Sequence, residues 1–405
     1  MRPPSPVIKA HRPMLRTVKL DEFSQCSHFS TSCGADEFFI AIRSAHGSSP
    51  AEALVQLTEH YESVLNHCHL DGDTTAFSRI FLSDGANQNA LLAASPLSGL
   101  LKKGALSVIG QKPLFNGPIS LFSYHIRSGN GSLRKTTGGS LDNEGTSALI
   151  SGEHYSLLLT AGFMGERSSD AYAQSTELFT RYGARIGAEG MTLPDNVLRT
   201  WIFLRDVDCD YGDMVRARRE LFDRQGLSDK TRYLASTGIE GRMTDCGNLV
   251  SLDAIAMGGL SGKQIIRVEA PTHLSPTIAY GVTFERGLAV RFGDRSHLYI
   301  SGTASINNKG EVLHIGNAEK QARRTLENIR ALCATQKADL TDMAYFIAYA
   351  RNFHDREAIA RVLNDEIDAD VPLVFVEAPV CRPAWLVELE GMAVLPCQSD
   401  FPPFL

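Results

Sequence analysis

Long apolar runs are missing from this chain. No stretch approaches the ~18 consecutive apolar residues that cross a bilayer, and the N-terminus, MRPPSPVIKAHRPMLRTVKL, is basic and proline-rich without the apolar centre of a signal peptide. No membrane partner is expected, and a cytoplasmic location is. A basic excess is missing too: 40 Lys and Arg stand against 46 Asp and Glu, for a net charge of −6. Binding to a phosphate backbone needs a basic face, so no nucleic acid partner is expected. An anionic small substrate stays open if arginines are concentrated locally. The eight cysteines (Cys26, Cys33, Cys68, Cys209, Cys246, Cys333, Cys381, Cys397) include no CxxC pair. Reduced thiols fit that scatter better than a disulfide framework. The chain has no GxxxxGK[ST] loop, no GxGxxG after a strand and no Gly-x-Ser-x-Gly elbow. Phosphate-loop, dinucleotide and serine-hydrolase chemistry therefore lack support. His67-Cys68-His69 is a poor metal motif, since adjacent side chains point apart, and His273 has no partner at ligand spacing. No metal is assigned.

What the chain does have is a repeat. Hydrophobic content of 43% and charged content of 21% are ordinary for a folded protein, and 405 residues suggest two to four domains. In the last third, residues 298–305 (LYISGTAS) alternate as a strand, and Asn307 to Gly310 form a turn. Ala318, Ala322, Leu326, Ile329 and Cys333 then make a helical stripe. Residues 343–350 read as a buried strand, and Ile359, Val362, Leu363 and Ile367 as a second helix. Residues 373–377 and 385–390 close the unit. The same order recurs upstream. Residues 157–161, the stripe Ala171–Ser175–Leu178–Tyr182–Ile186, residues 201–205, the helix of Met214, Ala217, Leu221 and Phe222, and residues 249–256 form a second copy. Residues 37–42, the helix of Leu54, Leu57, Tyr61 and Val64, and residues 79–83 and 118–124 form a weaker first copy. Arg351 to Glu388 and Ser83 to Ser120 both span 37 positions, whereas Arg205 to Ser251 spans 46, placing an insertion near residues 238–247.

The expected organisation is a tail or pairing segment at 1–20, a degenerate unit at 21–126, a linker at 127–153, a second degenerate unit at 154–258, and a joining loop plus third unit at 259–405. Arg134-Lys135 before Thr136-Thr-Gly-Gly-Ser140 leaves an anion-holding nest open within a segment read mainly as a flexible linker.

Alignment of the copies singles out one position. Glu388 stands where copies two and one hold Ser251 and Ser120. Glu388 and Glu390 share one strand face, flanked by Leu386, Val387 and Leu389. In that apolar setting a carboxylic acid keeps its proton and suits general-acid work; an exposed edge-strand glutamate is the plain alternative. Cys381, between Pro379 and Pro383 and beside Arg382, is expected either as a thiol acidified by the guanidinium or as a buried, inert one. The joining segment carries Tyr280, Arg286 and His273 as polar reach groups, and arginine suits a carboxylate.

Residues 298–394 resemble the Rid/YjgF family: Ser301-Gly-Thr-Ala304, Gly310-Glu311, Gln321-Ala322, Leu326-Glu-Asn-Ile329 and Val387-Glu-Leu-Glu-Gly-Met-Ala393 fall in that family's order and spacing. The resemblance implies an α+β fold of three tandem units, each a mixed sheet with two helices on one face, arranged as a pseudo-trimer. Rid deaminases carry an arginine where this chain has Pro379. The longer chain is similar instead to the chorismatase branch, through Tyr280, Arg286, the 301–305 strand, Arg351, Cys381-Arg382 and Leu386-Val-Glu388, with a divergent loop at 281–287. That resemblance implies release of pyruvate from chorismate or a related enolpyruvyl carboxylate, without a cofactor. Glu388 would be the acid and Cys381 a second catalytic residue associated with 3-hydroxybenzoate as product. Tyr280, Arg286, Thr303, Arg351 and Arg382 would bind the substrate, with Arg286 and Arg351 on its carboxylates. Two other readings stay open: a Rid-like enamine or imine hydrolase, and a non-catalytic binder of small carboxylates. Endoribonuclease activity, a label attached to this family, has no basic surface signal. The assembly expected is a monomer acting as a pseudo-trimer, or a further homo-oligomer.

Overall fold

The computed structural model describes residues 14–405 apart from 130, 140–144, 169 and 246. Alternating apolar residues and turn chemistry build one sheet design three times. The first sheet runs, in space, β1 (Met14–Lys19), β2 (Ser24–Ser30), β3 (Asp36–Arg43), β7 (Ile119–Arg127), β4 (Thr75–Leu82) and β5 (Ala105–Gly110). The second runs β8 (Arg134–Gly139), β9 (Thr146–Ser151), β10 (Ser156–Met164), β13 (Val250–Gly258), β11 (Val197–Leu204) and β12 (Ala235–Glu240). The third runs β14 (Ile265–Val268), β15 (Gly287–Arg291), β16 (Arg295–Ala304), β19 (Val387–Pro396), β17 (Met343–Ala350) and β18 (Leu373–Glu377). In each, three antiparallel strands are followed by the unit's last strand, its middle strand and one parallel strand. The two-residue β6 (Lys112–Pro113) leaves the first unit and extends the third sheet. The α+β tandem architecture is thus the observed one.

The helices follow the predicted stripes. Unit one carries α1 (Pro50–Cys68), α2 (Gly85–Ala94) and α3 (Pro96–Leu101), and unit two α4 (Ala171–Gly187), the single turn α5 (Leu193–Asn196) and α6 (Val207–Arg224). Unit three carries α7 (Ala318–Ala334) and α8 (Arg356–Glu366). The Asn317 side chain accepts the Lys320 N–H and starts α7, whose Ala318, Ala322, Leu326, Ile329 and Cys333 are all buried.

Two expectations are corrected. Residues 127–153 are not simply a linker, because they supply β8 and β9, and the proposed nest at 136–140 lies largely in β8. That strand is mostly exposed and so shows no apolar period to read. Residue 140 itself lies outside the described residues, as do residues 1–13, so only the pairing part of the N-terminal segment is seen, as β1. The extra length of the middle copy falls after β12 rather than from Gly238. Gly238 lies inside that strand, where a Cβ would come within 3.0 Å of the Tyr211 ring.

Each pair of units is stapled by a buried ion pair. Glu37 of β3 meets Arg295 (2.7 Å) and His297 (2.8 Å) of β16, and Asp253 of β13 meets Arg79 of β4 (2.7 Å). Glu390 of β19 meets Arg199 of β11. Such charges cost free energy to bury and are tolerated only when paired.

Candidate active site

Glu388 lies on β19, the central strand of its sheet, opposite Ala304 on one side and Tyr349 on the other. It is therefore no edge residue, and it is 3% exposed. A bulge in β16 between Ile300 and Thr303 interrupts the pairing beside it. Gly302 sits in that bulge, and a Cβ there would overlap Glu388 Oε1 and lie 2.8 Å from its Cδ. Gly302→Ala should push the carboxyl aside and lower turnover ~10²-fold with the fold retained. Steady-state kinetics with circular dichroism would check both halves.

The carboxyl opens onto a narrow pocket between units two and three. The edge strand β12 of unit two is held between two segments of unit three: Ile239 bridges Val380, the Glu240 N–H donates to the Pro379 carbonyl (3.1 Å), and the Glu285 N–H donates to the Leu234 carbonyl (2.8 Å). From unit three come Arg286, Gly302, Cys381, Arg382, Trp385 and Glu388. From unit two come Tyr211, Arg218, Ser236 and Thr237.

Burial, and then the neighbouring Glu390, push the Glu388 pKa from 4.5 up to about 8; Arg199 and Arg286 oppose the shift. At neutral pH Glu388 is a carboxylic acid. The consequence for stability has a definite sign. A raised folded pKa leaves stability intact below about 4.5 and removes it progressively as pH rises to about 8. Glu388→Gln cannot ionise, so its melting temperature should exceed that of wild type by a margin that widens between pH 5 and pH 8. Paired thermal melts at those pH values would show it.

Arg218 carries the other notable charge. It is 2% exposed. Nε donates to Thr283 Oγ1 (3.1 Å) and Nη1 to Ser236 Oγ (3.3 Å), while Nη2 has no partner. Burial works against its charge, and no carboxylate pairs with it among the described residues. Trp385 adds a second donor without a partner, its indole Nε1. A cavity with a buried guanidinium, orphaned donors and a protonated acid is built to receive an anion.

The other expected site residues divide. Arg286 lines the cavity and donates through Nε (3.2 Å) and Nη2 (3.0 Å) to the Ser275 carbonyl, which fixes the joining segment across the site. Arg382 lines it too, stacked over the Trp385 ring at 5.3 Å. The backbone of Tyr280 ends a 3-10 turn, Thr277–Tyr280, but its side chain lies outside the described residues. Cys381 lines the cavity, yet burial, with Glu388 adding to it, pushes its thiol up to about 12. Of the two states open for Cys381, this setting favours the neutral S–H. Thr303 faces the opposite side of its strand from Gly302 and donates to the Ser301 carbonyl (2.9 Å). Arg351 does not line the cavity; Nη1 donates to the Val380 carbonyl (2.5 Å) and Nη2 pairs with Asp208 of α6. It braces the wall. Arg218 and Tyr211 escaped the sequence reading, although Arg218 sits four residues from both Met214 and Phe222, on the buried stripe of α6.

The fold repeats one sheet-and-helix unit three times and places Glu388 in a pocket between the second and third units. Residues 288–395 match the family model described as Endoribonuclease L-PSP. The 3-hydroxybenzoate synthase of Streptomyces hygroscopicus is 27% identical over 253 residues, covering 56% of this chain and 69% of that one. The 3-aminoacrylate deaminase RutC of Acinetobacter baylyi is 26% identical over 97 residues, covering 24% and 77%. A crystal structure of chorismatase superposes with a TM-score of 0.62 at 18% identity, over 90% of this chain and all of that one. The likeness to that crystal structure extends the three-unit fold over nearly the whole chain. Among the described residues no helix is long and apolar enough to cross a membrane.

Proposed function

We propose that the protein cleaves chorismate, or a closely related enolpyruvyl carboxylate, and releases pyruvate. The observation that carries the reading is a carboxyl held protonated in a cavity that also holds a buried, uncompensated arginine. Chorismate offers a ring carboxylate, a second carboxylate on the enolpyruvyl arm and a basic enol-ether carbon. Arg218 and Arg286 each take one carboxylate. The Glu388 O–H gives its proton to the terminal methylene, which becomes a methyl group, and positive charge develops at the ether carbon. Water adds there to give a hemiketal and its proton returns to Glu388; the bond between that carbon and the ring oxygen then breaks as Glu388 gives the proton to the departing oxygen, which stays on the ring as a hydroxyl. Pyruvate leaves. The relative's name, 3-hydroxybenzoate synthase, suggests that the ring product goes on to lose water and become aromatic.

We take Cys381, a neutral S–H lining the same pocket as Glu388, to act on the ring after the first proton transfer. Cys381→Ala should keep pyruvate release within about tenfold of wild type but move the ring product from 3-hydroxybenzoate towards a dihydroxy-cyclohexadiene acid. Chromatography of the products would read the ratio. The imine-hydrolase alternative is tested in parallel by semicarbazide trapping of amino-acid-derived imines; Pro379, in place of the deaminase arginine, argues against it. Faster loss of imine than of chorismate would replace the present reading.

A further inference from the structure

The strand that carries the acid carries a second buried carboxyl, Glu390, two residues on and on the same face. The two are partnered very unequally. Glu390 accepts from Arg199 Nη2, Thr237 Oγ1, Trp201 Nε1 (2.6 Å) and Tyr349 Oη (2.8 Å). Glu388 has no hydrogen-bond partner among the described residues. When two carboxyls share a site, the one given the donors ionises and the other keeps the proton. The Thr237 hydroxyl ties the arrangement to the reaction cavity. It accepts from Arg199 (2.5 Å) and from the Gly302 N–H (3.0 Å), and so fixes the backbone against which the Glu388 carboxyl lies.

The repeat supplies an internal comparison. Asp253 of β13 stands where Glu390 does and pairs with Arg79, but its neighbour two residues back is Ser251. A buried Arg–carboxylate pair therefore serves to staple two units where no acid is present. Of these two equivalent positions, only that in the third copy has a second carboxyl two residues back on the same strand face.

We propose that Glu390 is a positioning residue for the reaction: fixed by Arg199, Thr237, Trp201 and Tyr349 as the ionised member of a carboxyl pair, it leaves Glu388 as the member that carries the proton. The acid role of Glu388 comes from the proposed function; the protonation of Glu388 in the ligand-free protein does not depend on it. The groups facing Glu388 are Glu390 on its own strand, Arg199 from β11, Arg286 from the joining segment, Cys381 and Arg382 from the loop before β19, and Tyr211 and Arg218 from α6. Those facing Glu390 are Arg199, Tyr345 and Tyr349 of β17, and Arg79 of β4.

The test is a titration of the full chain labelled with [¹³C]carboxyl glutamate and read by NMR without substrate, Glu388→Gln identifying the signal. Wild-type Glu388 should titrate near pH 8. In Glu390→Gln the midpoint should fall by about one pH unit or more; in the charge-neutral Arg199→Gln/Glu390→Gln pair, which keeps the result readable if the single variant fails to fold, it should fall by less, because the Arg199 charge that opposed the shift has gone too. In Arg79→Gln/Asp253→Asn, which removes the equivalent staple, it should stay. A midpoint unmoved in both Glu390 variants, or moved equally in the Arg79/Asp253 variant, overturns the proposal. If wild type releases pyruvate from chorismate, the alkaline limb of its rate profile should move with the midpoint. If it releases none while the NMR midpoint still moves, the substrate reading fails and the role of Glu390 stands.

Discussion

Glu388→Gln should lose pyruvate release by roughly 10²–10⁴-fold, the range general acids contribute, while retaining the wild-type circular dichroism spectrum and binding the substrate. The expectation rests on three physical points. Glutamine fills the same volume and cannot give up a proton to carbon. Among the described residues no second acid is in place to substitute, because Glu390 is committed to four donors and the Cys381 thiol is held up to about 12. Glutamine also removes a group that is unfavourable in its buried, charged form, so the variant gains stability as it loses turnover. A drop in activity with a rise in melting temperature at pH 8 marks loss of chemistry rather than of fold. Wild-type turnover should accordingly fall as pH rises through about 8, where Glu388 gives up its proton.

Arg218→Gln carries the second large effect. A guanidinium 2% exposed with Nη2 unpartnered gains its counter-charge only when a carboxylate enters. Removing one partner of a buried, hydrogen-bonded charge pair costs about 2–5 kcal/mol, a loss of roughly 30- to 5,000-fold in kcat/KM. Most of it should appear in KM, since the carboxylate is bound before and during reaction alike. Arg218→Lys should recover little, because one ammonium cannot hold Thr283 and Ser236 and still reach the ligand as the planar fork does. Without substrate the glutamine variant should be at least as stable as wild type, since an uncompensated buried charge has gone. Isothermal titration and thermal melts separate the two effects.

Much of this site was legible in the sequence, for reasons that particular residues make plain. The repeat exposed Glu388 by contrast with Ser251 and Ser120, and period-two alternation put Glu388 and Glu390 on one face, where both are found. Cys381, Arg382 and Arg286 were marked by loop chemistry, and all three line the cavity. The failures share a cause. Arg351 ends a strand near the site, but its direction is set by Asp208 at the start of α6, a contact across units that no local pattern reveals. Arg218 was hidden among Arg216, Arg219 and Arg224, and its place on the buried stripe of α6 was the only signal. Residues 127–153 looked like linker because β8 is an exposed edge and owes its form to β9 rather than to its own composition. Both an acidified and a buried, inert thiol stayed open for Cys381, because an adjacent arginine is visible in sequence whereas burial is not.

The central claim is that the cavity between units two and three cleaves an enolpyruvyl carboxylate through Glu388. The most direct measurement is to incubate the purified protein with chorismate and quantify pyruvate and the ring product, with Glu388→Gln alongside. The account predicts one pyruvate for each chorismate consumed, a hydroxybenzoate-type product in matching amount, and no release above background by the variant. Chorismate recovered unchanged from the wild-type reaction, or equal pyruvate from both proteins, would contradict it.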